Sequence, residues 1–140
     1  MDSKQKAGSD AEDYYKNGQW LCSEAVVTVI NDMLGRPMPK EVVKMASGFP
    51  VGIGGAGCAC GALTGGVMAL GIKYGRTEPG SDNAEILKVS RELHDWFKKT
   101  FGSTCCRNLI KNVEFGKGEH LKQCTHITGS VAEFVAGRVK

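Results

Sequence analysis

Six cysteines, most of them at predicted helix starts, are the residues of this chain best suited to chemistry. They are Cys22, Cys58, Cys60, Cys105, Cys106 and Cys124. A helix N-terminus carries unpaired N–H groups and a partial positive charge, which should lower a thiol's pKa and favour the thiolate. Because the thiolate is the nucleophile and the metal ligand, several such thiols in one short chain predict redox or metal chemistry rather than structural stapling.

Length and composition are those of a globular protein. The chain has 140 residues, of which 41% are hydrophobic and 24% charged, enough for one domain with its own core. The net charge of +3 is small and the basic residues are scattered, which excludes an extended nucleic-acid surface. The first ten residues lack the apolar segment of a signal peptide, so we expect a cytoplasmic protein with reduced thiols.

Hydrophobic spacing along the chain predicts helices throughout, and no segment alternates with the period of a strand. We therefore expect an all-α fold, a compact single-domain bundle of six or seven helices. Residues 1–8 should form a disordered tail, and residues 9–140 a single cysteine-rich helical domain. A glycine loop, residues 47–57, should precede a central helix at about residues 60–74. We also expect a loop at residues 114–118 and a break in the last helix near residues 124–125.

The uncharged segment at residues 51–72 is long enough to span a bilayer, but its glycine content favours a buried helix instead. Within it, Gly52-x-Gly54-x-x-Gly57 matches the dinucleotide-binding fingerprint but lacks the strand that should precede it.

His120 and His126 flank Cys124 and are candidate ligands, although lone histidines are typically surface residues. No triad or carboxylate pair indicates a hydrolase, and whether the protein is an enzyme at all is left open.

The sharpest motif is Cys60-Gly61-Ala62-Leu63-Thr64-Gly65, whose glycines let a backbone or a cluster approach the thiol closely. The chain resembles the family of redox-active proteins named for the C_GCAxxG_C_C cysteine pattern. The resemblance runs from about residue 20 to the C-terminus. It is carried by Cys22-Ser23-Glu24-Ala25-Val26, Ala46-Ser47-Gly48-Phe49, the Cys60 motif, Phe101-Gly102-Ser103, Cys106-Arg107 and Cys124.

The resemblance implies that four recurrent cysteines, Cys22, Cys60, Cys106 and Cys124, converge on one site, with Gly61 beside them. A related domain occurs in a cytochrome that carries an iron–sulfur centre, which favours a metal cluster. Four thiolates brought together repel one another and need either a cation or oxidation to disulfides. An Fe–S or other metal centre for electron transfer or sensing is therefore our first hypothesis. The alternatives are a metal-free thiol–disulfide protein and a zinc-stabilised interaction module.

A redox partner protein is implied but not identified, and the sequence leaves open whether the chain forms a homo-oligomer. Cys58 and Cys105 depart from the four-cysteine pattern. A disulfide between Cys105 and Cys106 would be strained, because adjacent Cα atoms lie about 3.8 Å apart, below the usual disulfide range of roughly 4.4–6.8 Å. We expect these two neighbours to point in different directions.

Overall fold

The computed structural model describes residues 1–114 and 118–140. This part of the chain is 66% helical, with seven helices and no strand, which confirms the all-α prediction. None of these helices is both long enough and apolar enough to cross a bilayer. The helices are α1 (Ser3–Lys16), α2 (Cys22–Met33), a 3₁₀ helix (Lys40–Ala46), α3 (Gly61–Tyr74), α4 (Ala84–Phe101), α5 (Cys106–Leu109) and α6 (Gly118–Val139).

Helix α1 begins at Ser3, so the prediction of a disordered tail over residues 1–8 was wrong. Asp2 caps the helix, because its side chain accepts a hydrogen bond from the Gln5 amide at 2.8 Å. The Gln5 side chain in turn accepts from the Asp2 amide at 3.2 Å, which completes a capping box. Ala7 and Ala11 are buried, and α1 packs along α6. This packing orders residues that composition alone suggested would fray.

Helices α2 and α3 form the centre of the core and touch backbone to backbone. A Cβ atom at Gly65 of α3 would lie 2.6 Å from the Ser23 Cα and 2.7 Å from the Ser23 carbonyl oxygen of α2. Only a glycine therefore allows this approach. Val26 and Ile30 of α2 are fully buried in the same core. The crossing brings the first turn of α2 against α3 and so sets the N-terminal ends of the two helices near each other.

Helix α6 runs without interruption, so the predicted break near residues 124–125 was wrong. Thr125 does not cap a new helix, because its hydroxyl donates to the Leu121 carbonyl one turn earlier, at 2.6 Å. Ile127, Val131 and Val135 are buried on one face, and this apolar stripe continues the helix through the threonines. The loop predicted at residues 114–118 lies mostly outside the described residues, and Gly118 already belongs to α6.

The α2–α3 crossing gives a test with a matched control in the same helix. Gly65→Ala should lower the free energy of unfolding by about 1–3 kcal/mol, because the new methyl group meets the α2 backbone. Gly71→Ala should raise it by roughly 0.5–1 kcal/mol, because a Cβ there meets no other atom within 4 Å and alanine favours the helix. Urea denaturation of both variants measures the difference. Equal effects would contradict the close crossing.

Candidate functional site

The starts of three helices meet α6 at one cavity of about 40 Å³. Cys22 is the first residue of α2, Cys60 directly precedes α3, and Cys106 is the first residue of α5. Cys124 lies inside α6, and all four cysteines line the cavity. The structure thus brings together the four residues that the sequence analysis selected. Their role as ligands or redox thiols stays a prediction.

The residues after Cys22 anchor the start of α2 to the neighbouring segment. The Glu24 carboxylate accepts from the Leu21 amide at 3.1 Å, which caps the helix. The same carboxylate accepts from the Ser47 hydroxyl at 2.9 Å, at the start of the glycine loop. The buried Ser23 hydroxyl donates to the Ala46 carbonyl at 2.8 Å. These bonds tie the start of α2, which carries Cys22, to the first residue of the glycine loop.

The glycine loop, residues 47–57, has an unusual backbone. Five consecutive residues, 51–55, have φ angles of 56°, 68°, 70°, 60° and 87°. Two of them are the β-branched Val51 and Ile53, which rarely adopt a positive φ. Hydrogen bonds from the Ile53 amide to the Phe49 carbonyl, at 2.8 Å, and from the Cys58 amide to the Gly52 carbonyl, at 3.0 Å, hold this shape. It places Val51 in the wall of the cavity.

An antiparallel bridge between Ala59 and Cys105 joins the end of the glycine loop to the start of α5. The Cys60 amide donates to the Thr104 carbonyl at 2.8 Å. The Arg107 guanidinium donates to the Ala56 carbonyl at 2.9 Å. Because α5 has only four residues, this bridge is what fixes Cys106 beside Cys60.

Gly61 is required by the position of Cys22. A Cβ atom at Gly61 would collide with the Cys22 sulfur, and it would lie 3.2 Å from the Pro50 Cα. The glycine therefore leaves space for a thiol of the neighbouring helix. Its predicted part in cofactor binding stays a prediction.

The expectation that helix N-termini lower the pKa of these thiols was wrong in its net effect. Burial raises the pKa of Cys22 to about 12 and that of Cys60 to about 11, from an ordinary value of 9.0. Amide hydrogen bonds from Ser23 to Cys22, and from Ala62 and Leu63 to Cys60, act in the opposite direction but are outweighed. Burial is also the largest cause of the raised pKa values of Cys106 and Cys124.

Two further residues of the cavity wall, Tyr15 and Thr128, were not selected from the sequence as site residues. Tyr15 of α1 hydrogen-bonds the Cys124 sulfur, and this bond opposes the effect of burial on the pKa of Cys124. The spacing of Ala7 and Ala11, continued by one turn, is the only signal that could have placed Tyr15 on the inner face of α1.

Thr128 is the second of these residues. The Thr128 side chain is fully buried in the cavity wall, and its hydroxyl has no hydrogen-bond partner among the described residues. His120 is buried in the same wall, and burial lowers its pKa. His126, by contrast, is exposed and lies edge-on to the Phe101 ring. A threonine inside an apolar stripe carries no signal that its hydroxyl will stay unpaired.

The cavity contains the types of residue that bind metals, but their side chains are not placed to hold one. Four sulfur donors line one cavity, and the unpartnered Thr128 hydroxyl is a hydrogen-bond donor that a bound anionic centre would satisfy. Within residues 1–114 and 118–140, however, no three His, Cys, Asp or Glu side chains are placed so that they could hold a metal ion. Binding of a centre would therefore require the cysteine side chains to move.

Comparison with known proteins agrees with the cysteine arrangement. Residues 20–137 match the model of a family described as "Putative redox-active protein (C_GCAxxG_C_C)". The matched range contains all four cysteines of the cavity. No curated protein matches the chain, and no solved structure does.

The raised pKa values predict slow alkylation of the buried thiols. At about pH 8, the thiolate fraction should be about 100-fold lower for Cys60 and about 1000-fold lower for Cys22 in the folded, metal-free protein than in the unfolded chain. Iodoacetamide should therefore alkylate both residues at least ~100-fold more slowly in buffer than in concentrated urea. Peptide mass spectrometry at timed intervals measures these rates.

The exposed Cys58 is the internal control, since folding should slow its alkylation much less. Faster alkylation of Cys22 or Cys60 in the folded protein than in urea would show that the helix N-termini outweigh burial after all.

Proposed function

Because the chain belongs to the redox-active C_GCAxxG_C_C family, we propose that it is a small cytoplasmic redox protein whose four-cysteine cavity holds a metal centre. An Fe–S cluster is the centre that we propose, serving electron transfer or redox sensing with a partner protein. The observation that carries this proposal is that Cys22, Cys60, Cys106 and Cys124, from four different parts of the chain, line one cavity.

Electrostatics favour thiolates bound to a cation over four free thiolates. Burial raises the pKa of each of the four, so ionisation of the empty site costs free energy that a cation would offset. Among the residues that the structure describes, those lining the cavity include no Lys or Arg, so a bound centre would have to supply the positive charge itself. Metal binding by the four cysteines is therefore coupled to the release of their thiol protons.

Each residue of the cavity has a part in this proposal. The four cysteines would be the ligands, and an Fe–S cluster so held supplies one-electron redox chemistry. Gly61 leaves the space that the Cys22 sulfur occupies. Tyr15 and Thr128 offer hydroxyl donors to sulfur, and hydrogen bonds of this kind tune the potential of such centres.

A second candidate is a metal-free protein that cycles between dithiol and disulfide. It is favoured by the arrangement of the side chains, since the described residues contain no set already placed to hold a metal. A third, the zinc-stabilised interaction module, would need the same four thiolates around a single ion. The metal content of the protein distinguishes the three.

Anaerobic reconstitution with iron and sulfide tests the proposal directly. We expect visible absorbance and bound iron in the wild-type protein, and the loss of both in Cys60→Ser. Cys105→Ser is the matched control, because Cys105 does not line the cavity, and it should retain the iron. Stoichiometric zinc in colourless protein would instead support the structural module. Reversible disulfides without any metal would support the thiol–disulfide candidate.

The Thr128 hydroxyl provides a separate test of whether the cavity is built for a ligand. Thr128→Val should raise the free energy of unfolding of the metal-free protein by about 1 kcal/mol, because it removes a buried, unpartnered hydroxyl. The same change should speed the loss of iron to a chelator from the reconstituted protein. Thr125→Val is the control in the same helix, and it should not stabilise, because it removes the 2.6 Å bond to the Leu121 carbonyl. Destabilisation by Thr128→Val would mean that the hydroxyl already has a partner.

A further inference from the structure

The register of the antiparallel bridge places Cys58 opposite Cys106. The bridge pairs Ala59 with Cys105, so the next pair along the two segments is Cys58 with Cys106. The hydrogen bond from the Cys106 amide to the Cys58 carbonyl agrees with this register. Across this bridge, Cys105 therefore lies opposite an alanine, whereas Cys58, which is outside the four-cysteine set, lies opposite Cys106.

The spacing across the bridge suits a disulfide between these two residues. One hydrogen bond, from the Cys106 amide to the Cys58 carbonyl, joins the two residues, and the Cα atoms of hydrogen-bonded pairs in antiparallel ladders lie about 5.5 Å apart, within the disulfide range of roughly 4.4–6.8 Å. In a regular antiparallel pair, the side chains of two opposed residues leave the same face. The neighbouring Cys105 thiol is turned away and donates to the Gly57 carbonyl at 3.0 Å. The backbone thus suits the pair Cys58–Cys106 better than Cys105–Cys106.

The two members of the pair differ in access to solvent. Cys58 is exposed, whereas Cys106 is only 8% exposed and lines the cavity. A reagent in solution can therefore reach Cys58 directly, but it can reach the Cys106 sulfur only through its partner. Thiol–disulfide exchange between a reagent in solution and a buried site requires one exposed cysteine and one buried cysteine, as in this pair.

We propose that Cys58 and Cys106 are a thiol–disulfide exchange pair that accepts oxidising equivalents from a small-molecule disulfide. The Cys58 sulfur attacks one sulfur of that disulfide, and the first small thiol leaves. The Cys106 sulfur then attacks the Cys58 sulfur, so that the Cys58–Cys106 bond forms and the second small thiol leaves. The two cysteines lose two electrons and two protons, and these convert the small disulfide into two thiols.

Formation of this bond takes Cys106 out of the four-cysteine set. If the cavity holds a metal centre, the disulfide and the centre exclude each other, and the exposed Cys58 makes occupancy of the cavity sensitive to the surrounding thiol pool. This consequence rests on the proposed function, whereas the exchange pair itself rests only on the bridge and on exposure.

Oxidised glutathione added to the metal-free protein tests the pair. After the remaining thiols are blocked, trypsin under non-reducing conditions yields residues 45–73, with Cys58 and Cys60, and residues 100–107, with Cys105 and Cys106. We expect these two peptides to be joined by a disulfide in the wild-type protein, in Cys60→Ser and in Cys105→Ser. The link should be lost in Cys58→Ser, whose melting temperature should match the wild type because position 58 is exposed.

Any of three results would overturn the pair: no link in the wild-type protein, a link that persists in Cys58→Ser, or a link that disappears in Cys105→Ser. Iron uptake after oxidation separates this proposal from the proposed function. Oxidised wild-type protein should take up much less iron than reduced protein, whereas Cys58→Ser should take up the same amount under both conditions. If no form binds iron but the link forms, the metal centre fails and the exchange pair stands.

Discussion

The backbone contact between α2 and α3 is the constraint on which the site depends. With no side chain at Gly65, the Ser23 backbone of α2 rests directly on α3, so the starts of both helices lie together. Gly61, one turn earlier in α3, leaves the space that the Cys22 sulfur occupies. A larger residue at either position would separate the two helices or displace the thiol. The glycines of the Cys60 motif are thus explained by packing, whatever the cavity holds.

Two opposing effects act on the thiols at these helix starts. Amide groups of the first turns stabilise a thiolate at Cys22 and Cys60, whereas removal from water destabilises it. Burial is the larger effect in the empty cavity. Yet the amides and the Tyr15 hydroxyl remain aimed at the sulfurs, and hydrogen-bond donors of this kind stabilise sulfur that carries negative charge. The cavity therefore destabilises free thiolates. Its hydrogen-bond donors would, however, stabilise thiolates whose negative charge is partly neutralised by a bound cation.

The helical architecture could be predicted from the sequence, because apolar spacing and the glycines that end helices are local signals. The starts of α2, α3 and α5 near Cys22, Cys60 and Cys106 follow from such signals. The predictions of helix boundaries were wrong where tertiary contacts determine where a helix begins or ends. Helix α1 is ordered from Ser3 by packing against α6, and α6 continues through Thr125 because its buried stripe continues. The grouping of the four cysteines came from the resemblance to a family, since their wide spacing along the chain indicates no local motif. The unpaired Thr128 hydroxyl and the register of the bridge exist only in three dimensions.

The cavity is rigid on one side and weakly held on the other. Its volume is only about 40 Å³, so the metal centre that we propose would require it to widen. Cys22 and Cys60 lie at the α2–α3 crossing, where backbone contact resists movement. Cys106 lies on the four-residue α5, which a few hydrogen bonds tie to a glycine loop with five successive positive φ angles. Widening should therefore displace Cys106 and the loop rather than the helix crossing. The cysteine that must move to admit a centre is thus the same one that faces Cys58 across the bridge.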